Sequence, residues 1–422
     1  PRYLLEQIAV QAEGAGGLAP EKTRFALPLE ILPLTFAEAD LHRIRQTMLS
    51  AIQDGVQPAY RRFAHFIRDE YAPMGRAEPG MWALPDGASR YAAAVKHWTT
   101  TGFAPEEIHQ LGLAQVSQLE TQIAAIARRV GVADSKALEA VIEKDPKLKP
   151  RSAEDILARY RSFIIGMGTV LPGLFGRRPK AGLTVVAVEP SRQAVAAAAE
   201  YRPGSPGGER LASLVVNPAN PRHQNTISIE TIAYHEGVPG HHMQIGTTQE
   251  MSWLAPFRKQ ARLVAFAEGW AMYAERLGKD IGFFRDPYSE YGRVREELLR
   301  SARLVADTGL HAKKWSREQA IQYLKDRGRL PAADAQLEVD RMVYQPGEAL
   351  GAEIGALKIL QLRERARKEL GARFRLARFH DTVLGSGPLP LDLLEERVNH
   401  WIETEKTASS SPAPLPTPRP RK

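Results

Sequence analysis

Apolar residues recur every three to four positions along most of the chain, which is the spacing of amphipathic helices. In residues 36–70 this spacing is carried by Leu41, Ile44, Met48 and Ile52. Similar patterns predict helices over residues 89–99, 105–130, 135–143 and 151–165, and again from residue 228 to about residue 401. The sequence therefore predicts a mainly α-helical protein.

Residues 181–218 have a different pattern. Two short runs rich in β-branched residues, 183–188 and 212–216, predict two strands. The alanine-rich stretch between them is predicted to be helical, and the segment from Pro203 to Gly208 is predicted to be a loop. We therefore expect a small β element around residues 183–218.

The helical pattern before and after this β element, without an internal repeat, indicates one continuous fold. It is expected to consist of an N-terminal helical region (1–180) and a helical region that carries the candidate site (181–406). Residues 407–422 are rich in Ser and Pro and end in basic residues, a composition typical of a disordered tail.

Composition narrows the possible chemistry. The chain contains no cysteine, so disulfides, thiolate ligands and a cysteine nucleophile are excluded, and a metal site must use His and carboxylate. The net charge is +8, but runs such as Arg293–Arg303 mix both signs, which indicates a solvated surface rather than a nucleic-acid site. The apolar run from Phe163 to Phe175 is too short to span a bilayer and contains Pro172, so it is predicted to be a buried turn of the core.

The richest chemistry lies between Tyr234 and Gln244, where three histidines and one glutamate occur together. In a zinc-binding helix two His stand four residues apart, about one turn, and the Glu after the first holds the attacking water. Here His235 and His241 are six residues apart and His235 and His242 seven. In a regular helix the first pair would point about 120° apart and the second would lie about 10.5 Å apart, so neither could bind one ion.

Pro239 and Gly240 offer a solution, because proline removes a backbone donor and interrupts the helix. A break or bulge there would bring a later histidine back beside His235. His241 is favoured as the second ligand because it directly follows the glycine, and His242 is the alternative. Glu236 would be the general base.

A third ligand is predicted on the apolar stretch 265–275. Glu268 is the acid in the middle of that stretch, where an unpaired buried carboxylate would be costly, so a nearby cation is a suitable partner. Glu275 lies seven residues later on the same helical face and could accept a hydrogen bond from a ligand histidine. The expected metal is Zn²⁺.

With these residues the chain resembles the bacterial DUF885 family, which carries a His-Glu-x-x-Pro-Gly-His-His motif and is itself similar to gluzincin metallopeptidases such as the carboxypeptidase Taq type. The resemblance covers nearly the whole chain short of the tail. Its marks are the start of the chain from Pro1–Tyr3 onward, Thr99–Gly102, Glu107–Leu113, Asn217–Pro218, His235–Gln244, Glu268–Trp270, Asp307–His311, Trp315–Ala320, Pro346–Gly347 and Phe379–Asp381.

The resemblance implies a helical gluzincin-like fold with a deep cleft, with His235, His241 and Glu268 as zinc ligands and Glu236 as the base. It also implies that the chain is the C-terminal part of a longer protein, exported or lipid-anchored in many members, with any signal upstream; a cytoplasmic location stays open. The segment 341–352 departs from the family pattern, because Met342, Glu348 and Ala352 stand where Tyr, Gln and Tyr are common.

Three functions are compatible with these features. The first is a zinc metallopeptidase acting on short peptides, since a deep cleft excludes folded chains. The second is a zinc amidase acting on a non-peptide metabolite, and the third is a non-catalytic binding protein that kept the fold. An enzyme would need a donor for the oxyanion. The candidates are Tyr344, His311, Arg341 and Tyr273. His109 and the pair His380–Asp381 are expected to be structural, and the oligomeric state is not predicted.

Overall fold

The computed structural model describes residues 1–33, 35–193, 195–221 and 224–408. It divides into two compact units, residues 1–85 and 86–422. Both are built from helices, and the one sheet in the described residues has three short strands. The prediction of a mainly α-helical protein is confirmed. None of the described helices is both long and apolar enough to cross a membrane.

The first unit contains α1 (Arg2–Gly17), α2 (Glu38–Ala51) and α3 (Gln57–His65). The π-helical turn Ile52–Val56 joins α2 to α3, and a second one, Phe66–Tyr71, follows α3, so the predicted helix over 36–70 is confirmed. Its small core contains the following apolar residues: Ala26, Leu29, Leu32, Ile44, Met48, Leu49 and Ile52.

The second unit begins with four helices, which confirm the predictions for residues 89–165. They are α4 (Gly87–Thr99), α5 (Pro105–Val130), α6 (Ser135–Lys144) and α7 (Ala153–Leu174). At the start of α5 the Glu107 carboxylate accepts a hydrogen bond from the Ala104 amide at 2.7 Å. The apolar run 163–175 is not a turn, because α7 continues through Pro172 to Leu174.

The sheet consists of β1 (Leu183–Ala187), β2 (Ala199–Arg202) and β3 (Ala212–Val216) in the order β1-β3-β2. β1 pairs with β3 in parallel and β2 pairs with β3 antiparallel, so β2 is an edge strand. The two predicted strands are confirmed. The helix predicted for the alanine-rich stretch is wrong, because Ala199 to Arg202 pair with β3 and the described residues just before them are not helical.

The described residues of the second unit after the sheet form mostly helices. These helices are α8 (Ile229–Ile232), α9 (His241–Gln249), α10 (Pro256–Gln260), α11 (Val264–Asp280), α12 (Pro287–Ala312), α13 (Arg317–Asp326), α14 (Ala332–Tyr344), α15 (Gly351–Leu370), α16 (Leu376–Leu384) and α17 (Leu391–Ala408). Thr407 and Ala408, predicted to belong to a disordered tail, are the end of α17, and the remainder of that tail lies outside the described residues.

Two helix pairs form the core of this unit. α5 packs along α12, and α11 packs along α15. In the second pair the backbones almost touch, because a Cβ added to Gly355 would lie 1.8 Å from the Ala265 carbonyl oxygen and one added to Gly269 would lie 2.6 Å from Gly355. Only glycine allows this approach, and it fixes the position of α11, the helix that carries Glu268.

A buried carboxyl group holds the turn between α14 and α15. Asp307 accepts hydrogen bonds from the Tyr91 hydroxyl at 2.6 Å and from the Gly347 amide at 3.1 Å. Gly347 has a φ of 84°, which favours glycine. Complete burial raises the pKa of Asp307 to about 7.

Candidate metal centre

The chain changes direction between the two halves of the histidine motif. α8 continues into the π-helical turn Ala233–Gly237, the Val238–Pro239 peptide bond is cis, and α9 starts at His241. As a result the imidazole rings of His235 and His241 lie 5.0 Å apart, centroid to centroid, at 90°. The structure therefore contains the break that Pro239 and Gly240 predicted, and it brings His241 beside His235.

Gly240 makes this reversal possible. Its amide donates a hydrogen bond to the Tyr234 carbonyl at 2.9 Å. A Cβ at this position would lie 1.9 Å from the carbonyl oxygen of His235 and 2.4 Å from that of Tyr234. The backbone on either side of the break is therefore packed too closely for any side chain.

Glu268 on α11 contacts both histidines. Its Oε2 lies 3.3 Å from His235 Nε2, and its Oε1 lies 3.6 Å from His241 Nε2. Glu236 adds a second carboxylate, since a ligand atom of His235, one of Glu236 and one of His241 all lie within 4.8 Å of one another. The predicted residues are thus brought together at one place.

These distances can be tested against a metal ion. In a tetrahedral zinc site the ligands lie about 2.0–2.1 Å from the ion, so neighbouring ligand atoms are about 3.3 Å apart. The 3.3 and 3.6 Å between the Glu268 oxygens and the two imidazole nitrogens agree with that spacing. Two imidazoles and one carboxylate are also the ligand types of a catalytic zinc site. The residues therefore fit a zinc ion.

His235 is held from behind by Glu275, as the sequence suggested. Glu275 Oε1 lies 2.7 Å from His235 Nδ1, and Arg300 Nη2 lies 3.4 Å from the same oxygen. Burial opposes the charged form of His235, but its hydrogen bonds to Glu268 and Glu275 raise the pKa to about 10. Burial would raise the pKa of Glu268, yet the hydrogen bonds from His235 and His241 hold it below its usual range. The imidazoles and the Glu268 carboxylate therefore stabilise each other's charged forms.

Glu236 lies beside these residues and is fixed by the edge strand. Its Oε2 accepts a hydrogen bond from the Tyr201 backbone amide at 3.0 Å. No hydrogen bond to its other oxygen is found in the part of the chain that the structure describes. One carboxylate oxygen of Glu236 is thus oriented by the protein.

His242, the alternative ligand, points elsewhere. Its Nδ1 lies 3.1 Å from the Tyr201 hydroxyl, and burial lowers its pKa to about 4, against a hydrogen bond with the Ala181 backbone. His242 Nδ1 is therefore engaged with Tyr201, and no contact between this ring and Glu268 is found among the described residues. The geometry supports His241 as the second ligand.

A cavity of about 930 Å³ opens beside the site and is lined by Glu236, His241 and Glu268. Of the four predicted oxyanion donors, only Arg341 lines this cavity, where it forms an ion pair with Glu348 at 2.8 Å. The geometry therefore gives no support to a direct role of Tyr344, His311 or Tyr273 in binding the oxyanion.

Tyr344 is 63% exposed and does not line the cavity. His311 is buried, and its Nε2 donates to the Met342 carbonyl at 3.0 Å. Tyr273 is buried and donates to His380 Nε2 at 2.7 Å. This geometry does not favour Tyr344, His311 or Tyr273 as the oxyanion donor, and that role stays a prediction. Residue type and spacing did not reveal that His311 and Tyr273 are engaged elsewhere.

His380 and His109, the two histidines predicted to be structural, are buried and form hydrogen bonds with groups of the core. His380 Nδ1 donates to the Leu174 carbonyl at 2.8 Å, and His109 Nδ1 lies 2.8 Å from the Thr308 hydroxyl.

The sequence analysis missed two cavity residues near the metal site, Tyr201 and Arg300. Tyr201 lies on the strand that was predicted as helix, and Arg300 lay in a run of mixed charge that indicated only a solvated face.

Comparison with known proteins connects this site to a family. The family model DUF885, described as a bacterial protein of unknown function, matches residues 1–398. The crystal structure of "the putative lipoprotein from Colwellia psychrerythraea" is 29% identical, with a TM-score of 0.87, over 95% of this chain and 70% of that chain. "A putative lipoprotein of unknown function from Shewanella oneidensis" shares the fold at 18% identity, with a TM-score of 0.71, over 93% of this chain and 72% of that chain. No curated protein matches the sequence.

Proposed function

This chain belongs to the DUF885 family, and we propose that it is a zinc-dependent hydrolase that cleaves short peptides. One observation carries the proposal: Glu268 contacts His235 and His241 at 3.3 and 3.6 Å, next to Glu236 and a cavity of about 930 Å³. A gluzincin-like relationship, implied by the motif, agrees with this ligand set.

The protein groups around the site suit amide hydrolysis. A zinc ion held by His235, His241 and Glu268 would supply Lewis acidity toward the scissile carbonyl and toward water. In this proposal Glu236 would accept a proton from water on its other oxygen and would pass it to the leaving amine. The Tyr201 amide keeps the carboxylate in this orientation, and Glu275 keeps His235 Nε2 directed at Glu268.

The first test is the metal content of the purified chain, measured by elemental mass spectrometry. We expect about one zinc per chain, lost in His235→Ala and in Glu268→Ala. His242→Ala is the matched control and should keep its zinc, because that ring contacts Tyr201 instead. A chain that takes up no zinc when zinc is supplied would remove the proposal.

Turnover is tested with a peptide library on the zinc-loaded protein. Glu236→Gln should keep the zinc and lose hydrolysis, and a Gln variant that still turned over would refute the role of Glu236. A screen of non-peptide amides tests the alternative of a zinc amidase acting on a metabolite.

A non-catalytic binding protein is the second candidate, and one contact favours it. Glu348 forms an ion pair with Arg341, which the glutamine common at this position in the family could not form. Both residues line the cavity, so the charge of its wall differs here from the family pattern. Turnover by the zinc-loaded chain decides against this candidate. The lipoprotein description of the structure that is 29% identical supports export of this protein, and cell fractionation would test it.

A further inference from the structure

The charged side chains of the cavity wall are equal in number but are not all paired with one another. Five basic and five acidic side chains line it. Two of the acids, Glu236 and Glu268, belong to the metal centre, and the other three each form an ion pair with an arginine. These pairs are Glu338–Arg303 at 2.9 Å, Glu348–Arg341 at 2.8 Å and Glu200–Arg202 at 3.1 Å.

Three basic residues of the cavity form no ion pair with an acid on its wall, although Glu268 acts on Arg300 electrostatically. Lys259 donates to the Gln249 carbonyl at 3.0 Å, and no ion pair of Arg262 is found among the described residues. Arg300 pairs with Glu275 and Glu296, neither of which lines the cavity. Because the five basic and five acidic side chains balance in number, a bound zinc ion would make the charge of the wall positive overall. The cavity therefore favours an anionic group on its ligand.

Arg300 is the member of this set best placed to hold such a group. Its side chain is 17% exposed, and Glu275 at 3.4 Å and Glu296 at 4.0 Å hold its guanidinium in place. Glu275 also contacts His235, so one carboxylate connects Arg300 to the metal centre. A guanidinium can bind a carboxylate by two parallel hydrogen bonds. When the guanidinium is fixed and largely buried, water competes only weakly for its N–H groups.

We propose that the substrate of this hydrolase carries a carboxylate and that Arg300 binds it. The proposal rests on the proposed function and specifies its substrate class. The carboxylate has two possible sources, the C-terminus of a peptide or an acidic side chain next to the scissile bond. Arg262, on the exposed segment that leads into α11, contributes only a solvent-screened attraction.

The test is a binding measurement without turnover, made by calorimetry on the zinc-loaded full chain with Glu236→Gln. The probes are an N-acetylated dipeptide with a free C-terminus and the same dipeptide as its amide. We expect the acid to bind about tenfold more tightly or better. Adding Arg300→Lys should reduce this preference to about threefold or less, because an ammonium cannot form the paired hydrogen bonds. Adding Arg262→Gln should leave most of it.

Zinc content is measured in each sample, and Arg300→Gln replaces the lysine variant if the latter loses its metal. A second pair of probes, dipeptide amides that contain Glu or Gln, identifies the source: a gain with Glu alone assigns the carboxylate to a side chain. If the charged and the neutral member of each probe pair bound with equal affinity, the proposal would be overturned. The same holds if a zinc-loaded Arg300 variant kept the full preference for the charged member. Selective binding without hydrolysis of any amide would remove the hydrolase function and leave the Arg300 site standing.

Discussion

Replacing Gly240 with alanine should dismantle the metal centre without touching a ligand. The new Cβ would lie 1.9 Å from the His235 carbonyl oxygen and 2.4 Å from the Tyr234 carbonyl oxygen. Contacts of about 3.2 Å or more are needed, so the backbone must open by more than about 1 Å, and such overpacking typically costs about 1–3 kcal/mol or more. Because the displaced atoms belong to His235 and precede His241, the two imidazoles would separate.

The assay is zinc stoichiometry together with thermal unfolding. We expect Gly240→Ala to lower the unfolding midpoint and to bind zinc far more weakly than wild type. Gly168→Ala is the matched control, because Gly168 lies inside helix α7 with no atom near its added Cβ; it should be neutral or stabilising by up to about 1 kcal/mol. A Gly240→Ala protein with a normal midpoint and a full zinc content would refute this account of the chain reversal.

Three further predictions concern residues around the site. Glu275→Gln removes the carboxylate behind His235 and should weaken zinc binding about 10- to 100-fold in a competition titration with a chelator; unchanged affinity would contradict its supporting role. Gly355→Ala places a Cβ 1.8 Å from the Ala265 carbonyl oxygen, so the helices must separate and the unfolding midpoint should fall, whereas an unchanged midpoint would show that the crossing is loose. Asp307 keeps its proton up to about pH 7 when folded but only to about 3.8 when unfolded, so wild-type stability should decline as the pH rises between these values. Asparagine in Asp307→Asn cannot titrate. Between pH 4 and pH 7 the free energy of unfolding of this variant, measured by denaturant titration, should therefore rise relative to that of wild type by up to about 4 kcal/mol. If the two proteins showed the same dependence of this free energy on pH, the reasoning would be wrong.

The helices could be predicted from sequence because each presents one apolar face to a core. The helix α5 is a clear case, with Pro105 and two acids at its start and a buried stripe along its length. The alanine-rich stretch could not be predicted in this way. Alanine favours helices, but Ala199 pairs with Val216 in a sheet, and tertiary pairing outweighed a weak local preference.

The candidate site was predictable where a motif is local and not where it depends on packing. Pro239 and Gly240 indicated a break, but the choice between His241 and His242 needed the observed direction of each ring. Arg300 lies 25 residues beyond Glu275 in sequence and reaches it only through the packing of the second unit. Its position in the cavity follows from tertiary structure and not from its neighbours in the chain.

The contact between Glu236 and the Tyr201 amide has a consequence for the sheet itself. β2 is an edge strand, and an edge strand with an open amide is a template for pairing with another chain. Here that amide is occupied by the same carboxylate that we propose as the base. Removing the carboxylate would therefore leave the Tyr201 amide of the edge strand open to pairing with another chain, and it would also remove the proposed base. Poor solubility and lost activity would then appear together. Glutamine retains an acceptor oxygen at this position, which makes it the cleaner substitution for separating the two effects.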